Sequence, residues 1–283
     1  MKVIVIGSEG KMGNYHVKAC ENLGHSVLLC DTKREGYGIS DYKKHLRSQD
    51  IDAVIIATPT LTHYEIAKYF INCKGNIKVL IEKPMCETSS QAYELMKLAQ
   101  HNRVQLMVGH IERFNPVMKN MILNPITIKD ITTIRRGYAP EATSNIISDV
   151  MIHDIDNVCY ILKYDKVPRH IHSIVKGKHF AQALMDYNGI PVTHQVDRKS
   201  KHVTREIRIT TDTYYYHIDL LNKSLSVYNN VDKNPCYGER SNDDALRAEL
   251  RAFFDGYDNA KQAYRNVKTC ENIMRGSIKW KKE

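Results

Sequence analysis

Through the first part of the chain, short apolar runs alternate with longer amphipathic stretches. The runs at 2–6, 26–30, 53–57, 78–81 and 105–108 are four or five residues long and largely apolar, the pattern of strands buried on both faces. Between them, 11–23, 41–48, 62–73 and 89–100 repeat apolar residues at helical spacing, and Gly24 and Gly75 stand where helices stop. Strict alternation of strand and helix predicts a parallel, doubly wound sheet.

The pattern changes after Asn115-Pro116. The segments 127–136, 170–176, 181–187, 206–211, 214–220 and 224–228 read as strands with alternating apolar and polar positions, which predicts an antiparallel sheet with one covered face. A helix is expected over 148–162, and two more over 243–257 and 258–280. There is no internal repeat and no low-complexity segment, so two domains with a boundary near residue 117 are expected.

Composition narrows the function. The 283 residues carry a net charge of +9, which suits an anionic ligand such as a nucleotide or a phosphate-bearing substrate. The basic residues are dispersed, in pairs such as Lys43-Lys44 and Arg135-Arg136, and no basic stripe is interleaved with aromatics. Nucleic acid is therefore not an expected partner. The seven cysteines are odd in number and form no C-x-x-C, and no Cys/His spacing matches a zinc site, so no metal is expected. Scattered single cysteines fit a reducing compartment. Met1-Lys2 leads directly into an apolar strand and no apolar stretch reaches the length of a membrane span, so a cytoplasmic location without membrane contact is expected.

The chemistry is concentrated at strand ends. Gly7-Ser8-Glu9-Gly10-Lys11-Met12-Gly13 lies between the first strand and the first helix, where Gly7 permits a tight turn, Gly10 lets the backbone approach a pyrophosphate and Gly13 lets helix pack on strand. The helix N-terminus, with Lys11 and Met12, would face the phosphates. The spacing G-x-x-G-x-x-G is one residue longer than the usual dinucleotide fingerprint. Asp31 ends the second strand, where a carboxylate accepts hydrogen bonds from ribose hydroxyls and repels a 2′-phosphate; that favours NAD, although Lys33 and Arg34 offer a route to NADP. Ala57-Thr58-Pro59-Thr60 with His63 ends the third strand, with Thr60 or Thr62 as the expected helix cap. Much of that segment reads as ordinary strand-to-helix punctuation, and a structural role for His63 is preferred to a chemical one. Glu82-Lys83-Pro84 closes the fourth strand, the end at which open α/β sheets bind ligands.

A second polar cluster is Asp149-Val150-Met151-Ile152-His153-Asp154-Ile155-Asp156. On a helix Asp149 and His153 share a face, and a histidine among carboxylates can serve as a proton acceptor near neutrality. Taken alone, the segment reads slightly better as a helix with a capping Asp149 and a structurally satisfied histidine. The segment Gly109-His110-Ile111-Glu112-Arg113-Phe114-Asn115-Pro116 follows the fifth strand, and Arg113 and Asn115 offer hydrogen-bond donors there. Arg135-Arg136-Gly137-Tyr138 offers more.

Together, the glycine loop, Ala57-Thr58-Pro59-Thr60 with His63, Glu82-Lys83-Pro84, Asp149 with His153 and the late Leu250…Phe253-Phe254 helix resemble the glucose–fructose oxidoreductase/inositol dehydrogenase (Gfo/Idh/MocA) family. Within it, 108–116 and 149–156 look most like NAD-dependent dehydrogenases that oxidise C3 of UDP-N-acetylhexosamines. The resemblance implies an α/β fold: an N-terminal NAD-binding Rossmann domain over 1–117, and a C-terminal α/β domain over 118–283 built on a largely antiparallel open sheet. The second domain would bind substrate and form a homodimer or homotetramer. The resemblance further implies catalysis by Lys83, His153 and Asp149. Gly7, Gly10, Lys11, Met12, Asp31, Thr58, Pro59, Thr60, His63 and Glu82 would surround NAD, and Arg113, Asn115, Arg136, Tyr138 and Asp154 the sugar. Another sugar or cyclitol dehydrogenase, with NAD or NADP, and a non-catalytic dinucleotide-binding regulator are the alternatives. Three features depart from the pattern: the longer glycine loop, the lack of further basic residues in 139–147, and a short second domain.

Overall fold

The computed structural model describes residues 1–32, 42–43, 51–73, 77–119, 121, 127–230, 235–241 and 243–279. The helix expected over 41–48 lies outside these apart from Tyr42 and Lys43, as do Gly75, Lys33 and Arg34. The chain divides into two units, Met1–Ile111 with Ala245–Val267, and Glu112–Asp244 with Lys268–Glu283.

The first unit is built on five parallel strands, β1 (Lys2–Ile6), β2 (Ser26–Cys30), β3 (Ala53–Ile56), β4 (Lys78–Glu82) and β5 (Leu106–Gly109), in the order β2-β1-β3-β4-β5. The interior of the sheet is apolar on both faces: Val3 to Ile6, Ala53 to Ile56, Val79 to Ile81 and Leu106 to Val108 are fully buried. Helices α1 (Lys11–Asn22), α2 (Thr60–Asn72) and α3 (Ser89–Asn102) connect the strands. Two of the helices carry a local boundary signal. Gly24 sits at φ +80 just past the α1 C-cap at Leu23, a conformation glycine adopts without strain. Thr88 and Gln91 form a reciprocal capping box at the start of α3. Because β1 pairs with β2 on one side and β3 on the other, the chain reverses direction across the sheet between β1 and β3. Open α/β sheets bind ligands outside such a switch point.

Helix α5 (Ala245–Phe254) and the first half of α6 (Ala260–Gly276) belong to this unit, whereas the division expected near 117 assigned them to the second domain. The physical reason is the exposed edge of β5. Asn259 accepts the Val108 N–H at 2.7 Å and donates to the Val108 carbonyl at 3.0 Å. Asp258 accepts the Leu106 N–H at 3.0 Å. The late segment thus satisfies backbone groups that an edge strand leaves open.

The second unit carries a nine-stranded sheet. Its strands are β6 (Ile128–Tyr138), β7 (Arg169–Lys176), β8 (Phe180–Tyr187), β9 (Ile190–Asp197), β10 (Lys199–Thr211), β11 (Tyr214–Asp219), β12 (Ser224–Asn229), β13 (Pro235–Arg240) and β14 (Ile278–Lys279). The order is β13-β12-β11-β10-β6-β9-β8-β7-β14, antiparallel except for β6–β9 and β7–β14. One face carries Ile131, Thr133, Val192, His194, Val196, Ile207 and Ile209, all fully buried. A turn of π-helix (Ile147–Met151) runs into α4 (Ile152–Ile161), which is buried along most of its length. Among the described residues, no helix is long and apolar enough to cross a membrane.

Candidate active site

In the first unit, a cavity of about 230 Å³ opens between the ends of β1 and β3, lined by Gly7, Gly10, Asp31, Ala57, Thr58 and Pro59. The loop can lie there only with glycine at positions 7 and 13. A Cβ on Gly7, whose φ is +87, would sit 2.6 Å from the Ala57 carbonyl oxygen; one on Gly13 would sit 1.9 Å from the Gly7 carbonyl oxygen. Helix α1 begins at Lys11 with Gly10 as N-cap, no side-chain cap bond and no acidic residue in its first turn. The N–H groups of Lys11 and Met12 are therefore among those a helix start leaves without intrahelical partners, and they carry the positive end of the helix dipole. Asp31 is nearly buried and accepts the Glu9 N–H at 3.0 Å. Glu9 is part of the loop's lengthened spacing, so the longer loop is tied to the end of β2.

On the other side of the cavity, Pro59 is the N-cap residue of α2, which starts at Thr60, with no side-chain cap bond. Neither expected threonine cap is made. The Thr62 hydroxyl instead lies 2.8 Å from both Thr58 Oγ1 and the Pro59 carbonyl. His63 is buried, with Nε2 2.8 Å from the Thr58 carbonyl and Nδ1 3.0 Å from the Pro84 carbonyl. Both ring nitrogens are engaged by the protein, so His63 supports the loops. Burial lowers its pKa, although its two carbonyl partners and Glu82 oppose the shift.

Lys83 follows β4, is half-buried and is joined to Pro84 by a cis peptide bond. Its N–H donates to Glu82 Oε2 at 3.2 Å. Glu82 is buried and its Oε1 lies 2.6 Å from Nε2 of His16, a residue on α1 that is fully buried. Burial raises the Glu82 pKa, but the hydrogen bond and charge of His16, with Lys83, outweigh it and the net shift is downward. His16 was missed in the sequence reading. Its signal is the buried stripe Gly13, His16, Cys20 on α1, in which a histidine occupies an apolar position and so requires a partner.

In the second unit, His153 is half-buried at the start of α4. Asp149 lies in the preceding π-turn, where it accepts hydrogen bonds from Ser144 Oγ at 2.6 Å and from Arg198, whose side chain is buried. Arg198 was not anticipated either. Three of the five expected sugar contacts are engaged internally. Arg113 makes a two-pronged bond to Asp156 at 2.6 and 2.7 Å, and both are buried. Asn115 donates to the Leu220 carbonyl at 2.9 Å and caps the following turn at Val117. Asp154 is gripped by Arg135 at 2.8 and 3.0 Å, and Arg135 also donates to Glu112 at 3.0 Å. Burial pushes the Asp154 carboxyl up, with Arg135 in partial opposition. Arg136, on the face of β6 opposite Arg135, and Tyr138 remain accessible.

Comparison with known proteins points to the same fold. Residues 1–110 match the family model GFO_IDH_MocA, described as an oxidoreductase family with an NAD-binding Rossmann fold. A UDP-N-acetylglucosamine 3-dehydrogenase of Acidithiobacillus ferrooxidans is 27% identical over 96% of this chain and 92% of its own. Its solved structure superposes with a TM-score of 0.83 at 22% identity, covering 98% of this chain and 97% of that one. An inositol 2-dehydrogenase of Rhizobium meliloti is 26% identical over 60% of this chain and 54% of its own. Levoglucosan dehydrogenase, solved with NADH and levoglucosan, has a TM-score of 0.81 at 14% identity, covering 98% of this chain and 96% of that one. Residues 1–110 therefore resemble the NAD-binding Rossmann domain of the Gfo/Idh/MocA oxidoreductases, and the chain shares the fold of the solved dehydrogenases along nearly its whole length.

Proposed function

We propose that this chain is an NAD-dependent dehydrogenase that oxidises a sugar hydroxyl to a ketone, with C3 of a UDP-N-acetylhexosamine as the reacting position. The observation that carries the reading is the cavity at the β1/β3 switch point, where the glycine loop, Asp31 and Thr58-Pro59 meet. Its residues fit a dinucleotide: Gly7 and Gly13 leave no room for a Cβ, and the uncapped start of α1 suits a pyrophosphate. Asp31 favours the ribose hydroxyls of NAD over a 2′-phosphate. The choice of sugar is supported by the similarity along nearly the whole chain to a UDP-N-acetylglucosamine 3-dehydrogenase.

When bound, NAD supplies the hydride acceptor. Lys83 polarises the oxygen of the reacting carbinol, and His153 takes the hydroxyl proton as general base. Asp149, held by Arg198 and Ser144, is the orienting carboxylate of this set. Arg136 and Tyr138 are the accessible candidates for sugar contacts in the second unit. The face of the nine-stranded sheet away from its buried core is the surface proposed for pairing with a second copy.

A cyclitol substrate is the second reading, favoured by the similarity to an inositol 2-dehydrogenase. Incubation with NAD or NADP and either UDP-N-acetylglucosamine, free N-acetylglucosamine or myo-inositol, read by nicotinamide absorbance, separates them. The proposal expects turnover with the UDP-sugar and NAD; turnover only with the free polyol replaces the substrate assignment.

A further inference from the structure

Lys83 is flanked by two residues that buried histidines hold, one from each helix that begins at the cavity. On its N-terminal side, Glu82 meets His16 of α1 at 2.6 Å. On its C-terminal side, the Pro84 carbonyl meets His63 of α2 at 3.0 Å. His16 is fully buried and His63 is 1% exposed, so neither bond is diluted by solvent.

The two grips are built differently. The His16 Nδ1 atom is buried without a hydrogen-bond partner, so its donor role falls to Nε2, which faces the Glu82 carboxylate. A charge-assisted bond of this length is among the stronger hydrogen bonds in proteins. The carboxylate lies against Gly109 of β5, where a Cβ would come within 3.3 Å of Glu82 Oε1, so the glycine leaves it the room it occupies. Its second oxygen accepts the Lys83 N–H. The His63 ring instead fills the gap between two backbone carbonyls, Thr58 and Pro84, and Thr58 lines the cavity.

We propose that His16 and His63 are positioning residues for Lys83, together holding it in register with the two walls of the cavity. The inference rests on reading Lys83 as a residue of the reaction. The histidines touch neither cofactor nor sugar in this account. They act through Glu82 and Pro84, and a shift of ~1 Å in a reacting group can cost about 100-fold in rate.

The test uses the full chain and two readouts. In cofactor-free protein, hydrogen–deuterium exchange of the segment 79–86 is compared among wild type, His16→Leu, His63→Leu and His16→Gln. Exchange is expected to rise about tenfold in both leucine variants, and the glutamine, which keeps a donor near the Nε2 position, is expected to restore it. With NAD and UDP-N-acetylglucosamine, His16→Leu is expected to lower kcat ~10- to 100-fold while the sugar KM and the Kd for NAD stay within about threefold. Wild-type exchange together with wild-type kcat in folded His16→Leu overturns the proposal. If that variant does not fold, Glu82→Gln weakens the same bond at equal volume, and unchanged exchange there overturns it equally. Failure of the wild type to bind NAD overturns the dehydrogenase reading instead, and the exchange arm still decides whether the histidines order Lys83.

Discussion

The carboxylate of Asp31 accepts the backbone N–H of Glu9 at 3.0 Å, so the end of the second strand and the glycine loop form one wall of the cavity. In the proposed reading, the residue that would discriminate between cofactors is thereby fixed by the loop that would hold the phosphates. Asp31→Ser removes an ionised acceptor, and hydrogen bonds to charged groups contribute about 1.5–3 kcal/mol. Affinity for NAD should fall by about tenfold or more and the preference over NADP should shrink, as read by fluorescence titration with both cofactors.

Gly13 tests the glycine loop itself. A Cβ there would sit 1.9 Å from the Gly7 carbonyl oxygen, a backbone atom that can move only with the loop. Gly13→Ala should therefore weaken NAD binding by more than tenfold and lower the melting temperature; the same two measurements on Gly24→Ala, whose Cβ would meet nothing within 4 Å, should show strain at φ +80 without loss of NAD binding.

Arg135 sits on the buried face of β6, paired with Asp154 and Glu112. Arg135→Met strands the buried Asp154 carboxylate, while Glu112 keeps Arg205 at 3.5 Å and Asn115 at 3.3 Å, and breaking a buried pair from one side costs about 3–5 kcal/mol. Urea unfolding should show a loss of that size. The double variant Arg135→Met/Asp154→Leu should recover part of it, because the stranded charge is gone.

His194 gives the fold an acid sensitivity. It is fully buried between Thr133 and Tyr187, and burial lowers its pKa to about 3. The folded value lies below the unfolded one, so the unfolded chain binds the extra proton between pH 6.5 and 3. The contribution is complete above about pH 6.5 and is lost as pH falls through that window. Its share of the loss between pH 7 and pH 5 should be about 2 kcal/mol. His194→Gln should flatten that part of the pH dependence in urea titrations.

How much was legible in the sequence follows from what each pattern encodes. The strands of the first unit could be read because burial on both faces leaves them almost wholly apolar. Strand β9 escaped notice because His194 occupies one of its inward positions and Pro191 lies near its start, which hides the alternation of Ile190, Val192 and Val196. The helical pattern of α5 and α6 showed an apolar face but not what covers it; that depended on Asn259 and Asp258 meeting the edge of β5. Gly7, Gly10, Asp31, Thr58 and Pro59 were legible because strand ends at a switch point must converge. Arg113, Asn115 and Asp154 look alike in sequence whether they face a ligand or an internal partner. The available clue was Arg135, a charge on an otherwise inward register of β6, which demands buried carboxylates nearby.

The most direct test of the central claim is turnover of UDP-N-acetylglucosamine with NAD by the wild type, Lys83→Ala and His153→Ala, followed by nicotinamide absorbance with NAD binding measured alongside. The account expects each variant to bind NAD nearly as the wild type does while turnover falls ~100- to 10,000-fold. Full turnover by both variants contradicts it.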